Sequence, residues 1–157
     1  MENTDKKRDF SFLKNIFRFM MEEGYHPTFE KTHILFELDD NLASVEYENG
    51  LMTVRIFFSI EEESRDMFLD AANSTMSGSI AVKPVILEDG KTLMFSIETM
   101  CDNIREFKKF FPRSIGYIRD ALLIHRHHMK LLLENSMLYK DLYSHDYENE
   151  PAKKFCS

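Results

Sequence analysis

The sequence predicts an α+β domain: a helix, a three-strand antiparallel meander, a second helix, a two-strand hairpin and a long C-terminal helix. Three observations carry this. Apolar residues recur at helical spacing in the first 23 residues and again after residue 103. Between them, short alternating runs are split by Asp40-Asn41, Asn49-Gly50 and Asp89-Gly90, pairs that favour tight hairpins. Registers drawn through those turns place the paired apolar residues of each hairpin together on one face.

Residues 10–23 read as the first helix, with Phe10, Leu13, Phe17, Met20 and Met21 on one stripe and Gly24 as its stop. Phe12, Ile16 and Phe19 widen the apolar surface past half the circumference, so this helix must meet more than one neighbour. A turn at Asp40-Asn41 pairs Leu38 with Ala43, Phe36 with Val45 and Ile34 with Tyr47. One at Asn49-Gly50 pairs Tyr47 with Met52, Val45 with Val54 and Ala43 with Ile56. The Asp89-Gly90 hairpin pairs Ile86 with Leu93, Pro84 with Phe95 and Val82 with Ile97. A slip by one residue would scatter these sets, and Pro84, which has no N–H, places its strand at a sheet edge.

Residues 59–74 read as the second helix, with Glu61, Glu62 and Glu63 in a first turn whose dipole favours anions and Met67, Phe68, Ala71 and Ala72 on its apolar side. After the last strand, Thr99 or Asp102 caps a helix running to Phe111. Pro112 then starts or kinks a longer one to about Tyr139, carrying Ile115, Ile118, Leu122, Met129, Leu132 and Leu133. The domain is expected to span residues 1–139, with residues 140–157 a polar, mobile tail.

The chain has 157 residues and a net charge of -7, distributed unevenly. Residues 28–70 hold eleven Asp/Glu against three Lys/Arg, whereas residues 101–135 hold four against seven. Two solvated faces explain this, as does a dipolar molecule that associates with itself or with a charged partner. The charged opening residues show no secretory signal, no apolar run is long enough to span a membrane, and the two cysteines, Cys101 and Cys156, suit a reducing compartment. A cytoplasmic location and no membrane partner are expected.

The residues offer little to catalysis. Asp39-Asp40 and Glu61 to Glu63 fit turn and helix-start roles rather than a carboxylate pair with separated pKa values. Nucleophile elbows, phosphate loops and metalloprotease motifs are missing, so neither an enzyme nor a cofactor is expected. In the HRHH run, His125 and His128 stand one turn apart, and a small metal-dependent enzyme or metal-binding protein is the alternative function. A metal needs further ligands, and no Asp or Glu follows at matching spacing. With His127, Arg126 and Lys130 the run reads as a basic face instead. It lacks the interleaved aromatics of a single-strand binder, and the acidic chain as a whole opposes nucleic acid. The hairpin registers leave Leu35, Leu42, Phe57, Val85, Leu87 and Met94 facing outward, too apolar a set for a solvated sheet face, and these six form the candidate partner-binding surface.

The opening FLKNIFRFMMEEGY, followed by ILFEL, TVRIFFSI and a hairpin ending LMFSIET, resembles the YbjN-like bacterial family of sensory-transduction regulators, over residues 10–133. The resemblance implies the fold of type III secretion chaperones. It also implies a small acidic homodimer that binds a segment of another protein without catalysis. The long last helix with HRHH and the polar tail lie outside the resemblance.

Overall fold

In a computed structural model, residues 2–61, 65–78 and 82–149 are described, with side-chain surroundings for residues 3–61, 65–73 and 82–137. The elements are α1 (Glu2–Glu22), β1 (Thr28–Glu30), β2 (His33–Leu38), β3 (Asn41–Glu48), β4 (Leu51–Ser59), α2 (Arg65–Gly78), β5 (Lys83–Ile86), β6 (Thr92–Met100) and α3 (Ile104–Asn149). The strands form one antiparallel sheet in the order β1-β2-β3-β4-β6-β5. The α+β order read from the sequence holds, with one strand added at the front.

α1 begins well before Phe10, drawing the charged opening residues into its first turns. It ends as a Schellman motif: the Tyr25 N–H donates to the Met20 carbonyl, the Gly24 N–H donates to that of Met21, and Gly24 takes φ +84°. β1 is short and fully exposed. It follows Pro27 and is closed by Lys31 at φ 56°, so it has neither the length nor the alternation that would betray a strand in sequence.

The β3–β4 register is the expected one, with Ala43, Val45 and Tyr47 opposite Ile56, Val54 and Met52. The β2–β3 turn sits one residue earlier than read: Asp39 and Asp40 occupy it at φ 51° and 66°, the Asn41 side-chain amide donates to the Asp39 carbonyl, and Leu38, Phe36 and Ile34 pair with Asn41, Ala43 and Val45. Moving the turn by one residue shifts the pairing by two, which leaves every side chain on its expected face. In the last hairpin Ile86–Leu93 and Pro84–Phe95 pair as expected, on the edge strand that proline requires. Val82 is buried immediately ahead of β5, whose register with β6 starts at Lys83 opposite Ser96.

Gly50 (φ +81°) and Asn49 (φ 50°) form the β3–β4 turn, and the Gly50 carbonyl accepts a hydrogen bond from the Cys101 N–H. A Cβ at Gly50 would meet only ordinary contacts, the nearest being Asp102 Oδ1 at 3.5 Å. Gly50→Ala should therefore lose about 1 kcal/mol through left-handed backbone strain alone, read as a lower urea midpoint at unchanged slope.

α2 starts later than expected because β4 continues through Ser59; Glu62 and Glu63 lie outside the described residues. α3 is one helix through Pro112, not a helix stopped at Phe111. Its cap is Asn103, whose Oδ1 accepts from the Glu106 N–H, while Glu106 Oε2 accepts from the Asp102 N–H. Pro112 is exposed, and the Ser114 hydroxyl donates to the Phe110 carbonyl in the same turn. The helix also runs ten residues past Tyr139; residues 150–157, including Cys156, lie outside the described residues.

The helices share one side of the sheet. α1 packs on β2 and β3, α3 on β6, and α2 on α3 and β5. The core joins Leu13, Ile16 and Met20 of α1 to Phe107, Phe111, Ile115 and Ile118 of α3 over the inward sheet residues. Among the described residues no helix covers the opposite sheet face.

Candidate functional site

The uncovered face is built in cross-strand rows. Its centre is mostly polar: Ser44, Arg55, Ser96 and Lys83 lie opposite one another with Leu35 continuing their row beyond Ser44, and Thr53 stands in the next row between Glu46 and Glu98. Ser44, Thr53 and Ser96 are buried although no helix lies over them, and Arg55 donates to Glu46 across this layer. Ser44 Oγ and Arg55 Nε are buried there without a hydrogen-bond partner.

Towards the end of the sheet that carries the β2–β3 turn, the face becomes apolar. Phe57 pairs with Met94, and Met94 with Val85; Leu42 follows the same turn on β3, opposite Glu37. Leu42 and Val85 are exposed, and Phe57 and Met94 half-buried. Leu42 stands between two depressions. One of about 560 Å³ is lined by Tyr25, His26, Thr28, Leu35 and Glu37, the other of about 400 Å³ by Asp40, Asn41, Phe57, Ser59 and Thr92.

Of the six residues expected on this surface, Leu42, Phe57, Met94 and Val85 therefore stand together. Leu35 sits one row further in, and Leu87 lies just past β5, where its N–H donates to the Thr92 carbonyl and closes the hairpin. Sequence reasoning missed the acidic rim. Glu37, Asp40, Glu88 and Asp89 are all exposed at this end, and they could be found only once the two hairpins were known to turn at the same end of the sheet. Asp89 is held below the usual carboxylate range by the Lys91 N–H, and Asp39 by a two-pronged bond from Arg119 at 3.0 and 3.1 Å. Both remain charged at neutral pH.

Other candidates resolve differently. His125 is buried between the ring of Phe68 on α2 and that of Phe95 on β6, whereas His127 and His128 remain near the surface with their rings 6.0 Å apart. Among the described residues, no group of three or more His, Cys, Asp or Glu is placed to hold a metal. The Cys101 thiol is pushed up by burial, which favours the unreactive protonated form. Asp39 and Asp40 are turn residues. A shallower apolar pocket of about 330 Å³ lies between α1 and β1, lined by Lys14, Phe17, Arg18, Met21 and Phe29. No described helix is long and apolar enough to cross a membrane.

No protein-family model matches the chain, and no curated protein matches its sequence. Solved structures do match. One is YbjN from E. coli, described as a candidate transcription regulator, with a TM-score of 0.59 at 11% identity over 73% of this chain and 89% of that one. Another is an uncharacterized protein from Methanothermobacter thermautotrophicus, with a TM-score of 0.53 at 13% identity over 74% and 95%. This chain has the fold of YbjN, the family that its opening helix and strand sequences resemble.

Proposed function

We propose that this chain is a non-catalytic, homodimeric module of the cytoplasm that binds a segment of protein on the uncovered face of its sheet, in the manner of a chaperone or regulator. The observation that carries this is the row Leu42, Phe57, Met94 and Val85, set between two depressions and rimmed by carboxylates. Removing apolar surface from water yields about 25 cal/mol per Å², and a floor of this kind gains it only when something covers the face. The acidic rim selects an occupant that is apolar and basic, and it repels nucleic acid. The fold shared with YbjN agrees with a regulatory role, and the likeness to type III secretion chaperones that the sequence resemblance implied agrees with a protein segment as ligand.

Phe57→Ser with Met94→Ser tests the reading. Circular dichroism and the cooperativity of melting should stay close to those of the parent, while self-association in light scattering weakens. Loss of folding would mean that these side chains belong to the core, and undiminished self-association would move the interface elsewhere.

A further inference from the structure

α3 does not stop where the body of the protein stops. The last of its buried side chains among the described residues is His125, yet the helix runs to Asn149. From the last turn of the body outward it presents one stripe, Leu123, Arg126, Lys130, Leu133 and Met137, at alternating spacings of three and four residues that keep all five on one side of a helix. All five are exposed, Leu123 by 63%, Leu133 by 51% and Met137 by 59%. A helix projecting into water with such a stripe lacks the packing from which helices in proteins draw most of their stability.

We infer that this projecting part of α3 docks on the uncovered sheet face of a second copy, and that the second copy returns the same contact. The inference rests on the reading of that face as a binding surface and names its occupant. The chemistry matches in order. Leu133 and Met137 suit the row of Leu42, Phe57, Met94 and Val85. Arg126 and Lys130 lie about 10 Å back along the helix at 1.5 Å per residue, among Glu37, Asp40, Glu88 and Asp89 when the arm enters from the turn end of the sheet. The arm also leaves the body at that end: Arg119 of α3 grips Asp39 in the β2–β3 turn, and Arg126, two turns on, adds to the field that keeps Asp39 ionised. Each copy thus carries arm and groove side by side, the arrangement that a closed two-fold exchange needs. Pairing the stripe with itself is disfavoured, because Lys130 stands at its midpoint and would meet Lys130 of the second copy in an antiparallel pair.

Sedimentation equilibrium of the full chain decides this with two variants, Leu133→Glu/Met137→Glu in the arm and Phe57→Ser/Met94→Ser in the face. Each alone should raise the dimer dissociation constant about tenfold or more. An equimolar mixture should then associate more tightly than either variant by itself, because it restores one arm and one face that fit. Should the arm variant lose its circular dichroism, the exposed pair Arg126→Glu/Lys130→Glu replaces it, and should the face variant lose it, the exposed pair Leu42→Glu/Val85→Glu does, each with the same expected weakening. An arm variant as dimeric as the parent, with the face variant monomeric, would overturn the arm and leave the face as the interface. A face variant as dimeric as the parent would overturn both readings. A monomeric parent would overturn the exchange while leaving the face to a different protein.

Discussion

Phe111→Ala should cost about 3–5 kcal/mol of unfolding free energy, the range for removing a fully buried ring without collapse of the space it leaves. Phe111 sits where three elements meet. Its ring stacks on Phe107 at 5.1 Å within α3 and meets Tyr25, in the loop after α1, edge-on at 5.3 Å and Phe36 of β2 at 5.9 Å. Alanine there opens a void bounded by aromatic rings attached to three separate backbones, which cannot all move inward together. Domains of this size are stable by about 5–15 kcal/mol, so the substitution removes a large share of the margin. Urea unfolding should show a lower midpoint with an unchanged slope, and melting should fall by roughly 10 °C. Phe110→Ala, one residue away and only partly buried, should cost clearly less. A loss below about 1 kcal/mol at Phe111 would mean that α3 does not pack on the sheet at this point.

Faces were easier to read than boundaries. Alternation in β2, β3, β4 and β6 marks which side chains point inward, and the two-residue period makes that assignment survive a misplaced turn, as the Asp39-Asp40 turn shows. Boundaries depend on weaker local forces. Pro112 is a helix breaker by propensity, but packing of Phe107, Phe111, Ile115 and Ile118 against the sheet carries α3 through it. β1 is three residues long and owes its existence to pairing with β2, a tertiary effect that leaves no local pattern.

The candidate site was legible in half. Leu42, Phe57, Val85 and Met94 stood out because they break the alternation. The carboxylates that give their row a chemical preference come from two hairpins about fifty residues apart in sequence. The arm was hidden for a different reason. Leu123, Leu133 and Met137 look like core residues of an amphipathic helix until the body is seen to end before most of them, so exposure and not periodicity identifies them.

Stability should fall as pH drops through the ordinary histidine range, and His125 should be the residue responsible. Burial between Phe68 and Phe95 pushes its pKa down, because the apolar pocket penalises the charged ring. The Ala71 backbone works the other way and favours the proton, but neither ring nitrogen makes a hydrogen bond of good geometry, so burial prevails; nearby His128 lowers the value further. A group with a lowered folded pKa binds fewer protons in the folded than in the unfolded state. Its contribution is complete above the unfolded value of about 6.5 and is lost as pH falls from there towards the folded value. Asp39 and Asp89 are also lowered, but from a carboxylate reference of 3.8, so their losses come at more acidic pH and the two windows separate. Urea midpoints between pH 8 and pH 5 should therefore decline in the parent. In His125→Leu, which fills the pocket with an apolar side chain, that decline should flatten while the fall below pH 4 remains. A parent curve that is flat from pH 8 to pH 5 would mean that the ring is hydrated or well bonded and that α2 is not sealed against α3 and β6. A decline that persists in the leucine variant would assign the titration to another group.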